Sequence, residues 1–303
     1  MQNKTSNAFA GAPSPNPLEG KAQIKVVSDY AQAFFGKTET RPGFLLELCD
    51  CADRMFNGQM WNYQPMSLRY HDYDHTLEAT YLFITMGAAC QMHLPVEEKP
   101  SARALELGLA AILLHDTGYL VIEGDKIGTG AKYTYCHVLR SCAIAASILP
   151  ALGCTQHEID DVLGAIRCTG LNGNPSKTHF STPQARRIAC MVATADYVGQ
   201  MSSPSYPDKL PSLFDEFSEA DTYCHIPWEK RAFKSVDQLL NATPAFWSKF
   251  VLPKLTNDFD GVYQFLATPY PSGPNPYIEA IETNLTIIAG QSRQGTELTQ
   301  KLP

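Results

Sequence analysis

The chain has 303 residues and a formal net charge of −7, from 24 Lys and Arg against 31 Asp and Glu. With 44% hydrophobic and 18% charged residues it is long enough and apolar enough to bury a sizeable core, which excludes a disordered or fibrous chain. An acidic balance without a dense Lys/Arg run argues against a nucleic-acid polymer as partner, and no apolar run approaches the roughly 20 residues of a membrane span.

In chain order, residues 1–20 are rich in Asn, Ser, Pro, Ala and Gly and read as a loose tail without the apolar core of a signal peptide. Helices are expected near 22–36, 43–56 and 75–92. Segment 101–116, SARALELGLAAILLHD, has Ser101 as its cap and becomes apolar on every side, as a central helix does; Gly118 is its expected terminator. A further helix is expected near 134–149. Segment 155–167 opens with Thr155 and Glu158 in capping-box spacing and places Ile159, Val162, Leu163 and Ile166 on one face. Segment 183–201 has Thr182 as cap and Pro183 at the first helical position. Further helices are expected near 207–219, 229–240, 244–256 and 276–290.

Strand-like alternation is nearly absent and no repeat is visible, so the expectation is an all-α chain. Its organisation is expected to be a tail at 1–20, a helical core at 21–215 and a C-terminal helical extension at 216–303. The nine cysteines form no CxxC pair and lie mostly in apolar runs, which reads as reduced, buried thiols in a cytoplasmic protein.

Three separated segments point polar side chains toward the core. His115-Asp116 ends the most apolar helix, where a buried imidazole and carboxylate are costly unless paired or metal-bound. The alternative is a helix end emerging into solvent, with the histidine favoured by the dipole. In YHDYDH, residues 70–75, His71 and His75 are four apart and would share one face of a helix; an exposed histidine pair is the alternative. Asp196, four residues after Val192 and eight after Ile188, falls on the buried face of its helix, where a cation or an internal arginine must meet it. Two imidazoles and two carboxylates suit Mn, Fe, Zn, Ni or Mg better than a thiolate-loving metal.

The order YHxxxH, then HDTG, then a helix carrying His137, then Asp196 in TADYVGQM resembles the HD-domain superfamily of phosphohydrolases over roughly residues 65–205. The segment GQMSSPSYPDKLPSLFDEF looks like its bacterial branch, and the YHxxxH opening is similar to cyclic-nucleotide phosphodiesterases. The resemblance implies a helical HD core with His75, His115, Asp116 and Asp196 as ligands of one divalent metal. It implies that His71 protonates the leaving oxygen, that Asp116 also orients the attacking water, and that His137 stands where two-metal members keep a further histidine. Where those members carry more histidines, this chain reads AIRCTG at 165–170, with Cys168 or Thr169 near that position, so one tight metal is expected with at most a weak second.

Arg140, Arg167 and Lys177 are candidates to meet substrate charge, Lys177 being more simply a solvated loop residue. The expected activity is hydrolysis of a small phosphate mono- or diester, with a nucleotide as one such substrate. Two other readings stay open: an HD-type diiron oxygenase, and a nucleotide-binding regulatory protein without turnover. The C-terminal helices offer a surface for a homodimer.

Overall fold

The apolar periodicity resolves, in a computed structural model describing residues 24–35 and 41–300, into ten α-helices with no strand among the described residues. The expected tail at 1–20 lies outside the described residues. The first helices are α1 (Ile24–Phe35) and α2 (Phe44–Phe56), followed by α3 (Tyr73–His93) and α4 (Ala102–Leu114). Next come α5 (His137–Ile148), α6 (Gln156–Thr169), α7 (Pro183–Ser202) and α8 (Tyr206–Tyr223). The last two are α9 (Val236–Phe246) and α10 (Pro276–Gln300). The chain is all-α.

The helix starts follow their cap chemistry. Ser101 accepts from the N–H of Ala104, and Thr182 accepts from that of Ala185 ahead of Pro183. Thr155 and Glu158 form a reciprocal capping box. α4 is enclosed by α2, α3, α6 and α7, and its residues from Leu109 to Leu114 are buried all round. It is the post around which the bundle is laid, and its C-terminal end delivers His115 and Asp116 into the interior.

Several local expectations give way to tertiary structure. α3 begins at Tyr73, not before His71: Asp72 takes the N-cap, its carboxylate accepting from the N–H of His75 at 2.8 Å. His71 therefore precedes the helix and does not share its face with His75. Gly118 does not end α4, which stops at Leu114; it lies in a 3-10 turn, Thr117–Tyr119, against the start of α5. The helix expected at 229–240 is a 3-10 turn at Trp228–Lys230 and then α9, because Ser235 supplies the cap at that later point. Around 244–256 the chain widens into π-helix at Trp247–Val251 and Lys254–Asp258, where Pro253 has no N–H for the ordinary ladder.

α8 runs without a break through the expected boundary at 215/216. Beyond it, the C-terminal part is fastened to the core by buried polar groups. Asn284 on α10 donates to the carbonyls of Met201 and Ser203 at the end of α7. Lys254, between the Phe250 and Phe259 rings, donates to the carbonyl of Gly173. The nine cysteines are all free; six are buried, Cys154 is half-buried, and Cys136 and Cys224 are exposed. Among the described residues no helix is long and apolar enough to cross a membrane.

Candidate metal centre

His115 and Asp116 do not emerge into solvent: they are 1% and 2% exposed. Nδ1 of His115 lies 2.7 Å from the carbonyl of Ile112. A carbonyl only accepts, so Nδ1 carries a hydrogen and Nε2 is the nitrogen that faces the carboxylates. From α3, His75 brings an imidazole whose two nitrogens both lack a hydrogen-bond partner. Nε2 of His115 and Oδ2 of Asp116 are likewise buried without one. His75, His115 and Asp116 present donor atoms that all lie within 4.8 Å of one another.

Asp196 joins them from α7. Its Oδ1 is 3.2 Å from Nε2 of His75 and 3.5 Å from Nε2 of His115. Oδ2 of Asp116 is 3.6 Å from Nε2 of His75 and 3.3 Å from Nε2 of His115. Across these separations Nε2 of both histidines and Oδ2 of Asp116 make no well-aligned hydrogen bond. The distances from the two imidazoles come close to the roughly 3.0–3.4 Å that separates donors held at about 2.1 Å from one ion, with His75, His115 and Asp116 forming the compact group and Asp196 just outside it. No arginine pairs with Asp196 among its described contacts; its partners are the two imidazoles and Gln200. Unpartnered imidazole nitrogens and the Asp116 Oδ2 oxygen, buried and converging, are the donor chemistry of a borderline divalent metal.

The charges respond to one another. Burial disfavours a protonated His115, yet the Asp116 and Asp196 carboxylates raise its pKa well above the ordinary histidine value. Burial likewise pushes the carboxyls of Asp116 and Asp196 up, but His115 and His75 hold both below the usual carboxylate range.

A second layer sits against this cluster. His137, at the start of α5, directs Nδ1 to the carbonyl of Thr134 at 2.7 Å and leaves Nε2 3.8 Å from Oδ1 of Asp116, the oxygen other than the one facing His75 and His115. Burial lowers its pKa, so it stands neutral. Gly118 makes this approach possible: an added Cβ would lie 2.0 Å from the His137 carbonyl oxygen, and the Gly118 N–H donates to Ser141 at 2.8 Å. The Tyr119 ring stacks on those of His71 and His137, at centroid distances of 4.7 and 4.4 Å, and the two imidazoles lie 6.2 Å apart, tilted by 33°.

His71 faces Glu216 of α8, with Nδ1 2.7 Å from Oε2. Burial lowers the imidazole's proton affinity, but the Glu216 hydrogen bond and charge outweigh it, with Asp116 and Asp196 behind, and the net shift is upward. Glu216, 5% exposed, also accepts from the Tyr70 N–H.

The structure thus brings together His75, His115, Asp116 and Asp196, with His137 and His71 alongside. Arg140 is spent on the loop between them, donating to the carbonyls of Gly118 and Leu120 while stacking on Tyr133. Arg167 is exposed beside Cys142, and Lys177 is exposed in the loop after α6. The Cys168 thiol faces Thr178 at 3.8 Å, and the Thr169 hydroxyl donates to the Ile166 carbonyl. Sequence reasoning missed Glu216, Gln200 and Tyr119. The first two are ordinary polar residues in mixed helices and carry no signal; Tyr119, three residues after Asp116 in the HDTGY turn, was within reach.

Comparison with known families places this cluster inside a recognised unit. A family model described as Npun_R2479-like matches residues 66–263. The chain belongs to the Npun_R2479-like family. That match takes in every residue of the centre, from His71 to Glu216, while α1, α2 and α10 lie outside it. None of the curated proteins matches the chain.

Proposed function

We propose that this chain is a metal-dependent phosphohydrolase of the HD type, acting in the cytoplasm on a small phosphate mono- or diester. The observation that carries the reading is the convergence of His75, His115, Asp116 and Asp196 from three helices, with Nε2 of both histidines and Oδ2 of Asp116 buried and unpartnered. Those four side chains hold one divalent cation, Mn, Fe, Zn, Ni or Mg. Bound there, the cation supplies Lewis-acid charge at a phosphoryl oxygen and acidifies water.

The rest of the chemistry falls to the chain. Asp116 uses its second oxygen, toward His137, to orient the attacking water. His71 gives a proton to the leaving oxygen, and the Glu216 carboxylate on its Nδ1 raises the imidazole's proton affinity. Tyr119 stacks on the rings of both His71 and His137 and so holds the two imidazoles beside each other. Because Arg140 is tied to the main chain, substrate charge is met by the centre and by protonated His71 rather than by an arginine clamp.

The test combines metal analysis of the purified protein with a phosphoester panel. Expected are one tightly held divalent ion per chain and release of phosphate or nucleoside monophosphate, lost in Asp116→Ala and His75→Ala. Full metal content and activity in Asp116→Ala would sink the proposal. Two irons per chain with oxygen uptake would assign a diiron oxygenase instead, and tight nucleotide binding without turnover a regulatory protein.

A further inference from the structure

Gln200 lies one helical turn beyond Asp196 on α7. Its Nε2 donates both to Oδ1 of Asp196 and to the Asp196 main-chain carbonyl, each at 3.1 Å. Its Oε1 accepts from the hydroxyl of Tyr70 at 2.7 Å. The two ends of the amide are chemically distinct. A carboxylate only accepts, so the NH2 end must face Asp196, which leaves the carbonyl end to accept from the phenol. Turning the amide over would set its oxygen against the Asp196 carboxylate. The oxygen it grips is the one nearest the imidazoles, 3.2 Å from His75 and 3.5 Å from His115.

Tyr70 is itself clamped at its other end, where its N–H donates to Oε1 of Glu216 at 2.9 Å. It is 5% exposed and cannot swing away from the amide. A continuous chain of contacts therefore runs from Asp196 through Gln200, Tyr70 and Glu216 to His71.

We infer that Tyr70 and Gln200 act as a serial positioning pair for Asp196, in which the phenol fixes the amide and the amide fixes the carboxylate oxygen offered to a metal. The inference rests on the metal-centre reading above. Groups that orient a ligand from behind typically alter metal affinity about 10–100-fold when removed.

The experiment is a titration of the chelator-stripped full chain with Mn(II), following free Mn(II) by its electron paramagnetic resonance signal. Four proteins are compared: wild type, Gln200→Leu, Tyr70→Phe and the double variant. Gln200→Leu is expected to weaken binding about 10–100-fold. Tyr70→Phe leaves the amide in place but unanchored, and its loss is expected to be smaller. In the double variant the Tyr70 change adds nothing, because a serial pair has no second route.

Gln200→Glu keeps the side-chain length and the acceptor for Tyr70 but sets a carboxylate against Asp196. It is expected to weaken Mn(II) at least as much as leucine does, which a packing role would not produce; it also serves should Gln200→Leu fail to fold. Wild-type affinity in Gln200→Leu or Gln200→Glu overturns the inference, as does an undiminished Tyr70→Phe effect in the Gln200→Leu background. Wild-type protein that binds no Mn(II) overturns the metal reading, and the inference with it.

Discussion

Gly118 offers the sharpest test of how the site is assembled, because its replacement by alanine adds a single carbon at a place where none fits. The new Cβ would stand 2.0 Å from the His137 carbonyl oxygen, 2.7 Å from its carbon and 2.8 Å from the Ser141 nitrogen. All three are main-chain atoms of α5, so no side chain can swing aside. Ordinary contact requires the first turn of α5 to retreat by about 1.4 Å, an overpacking strain of about 1–3 kcal/mol. The same movement stretches the Gly118–Ser141 hydrogen bond and the Arg140 bond to the Gly118 carbonyl, at about 1 kcal/mol each. Gly118→Ala is therefore expected to lose about 3–5 kcal/mol, lowering the melting temperature by roughly 6–20 °C for a domain of this size. His137 moves with α5, away from Asp116. Gly290 is the internal control: it is exposed on α10 with nothing within 4 Å of an added Cβ, so Gly290→Ala should gain about 0.5–1 kcal/mol from helix propensity. Urea melts of the two variants have opposite expected signs. A Gly118→Ala protein as stable as wild type would refute the close approach of α5 to the HDTG turn.

Metal removal should act in a pH-dependent way. The His115 pKa is raised in the folded state, so that contribution is complete below the unfolded value near 6.5 and is lost as pH rises through the folded one. Asp116 is depressed, so its contribution is present above the carboxylate range and lost in acid. Chelated protein is therefore expected to be most stable in mildly acidic solution, and the gain in melting temperature on adding Mn(II) to be larger at pH 8.5 than at pH 5.5; equal gains would contradict this. Glu216→Gln removes the charge that raises His71, so the alkaline limb of the activity profile should move to lower pH, while an unmoved limb would separate His71 from proton donation. Away from the site, Arg103→Met takes a charged hydrogen-bond donor from the fully buried Glu106 and from Glu158, with an expected loss of about 1–3 kcal/mol in urea denaturation.

The parts of the centre visible in the sequence are those whose surroundings are local. His115 and Asp116 stand at the end of an apolar helix, and Asp196 repeats the buried positions Ile188 and Val192 at helical spacing. Thr155, Thr182 and Ser101 announce helix starts because a cap bonds only two or three residues away. Asp72 shows where a local pattern misleads. Spacing alone sets His71 and His75 on one face, but the Asp72 carboxylate meets the N–H of His75, starts the helix there and leaves His71 outside it. His71 then reaches its place through Glu216, 145 residues further on.

By itself the sequence determined the all-α class, most helix starts and three of the segments that meet at the centre, since hydrophobic periodicity and capping act within a turn or two of chain. Only the tertiary structure decided how those segments meet. Glu216 on His71, Gln200 between Tyr70 and Asp196, and α5 lying on the bare backbone of Gly118 are all contacts between helices. The physical reason is that a polar residue in a mixed helix looks the same whether it faces water or a histidine, until packing removes the water.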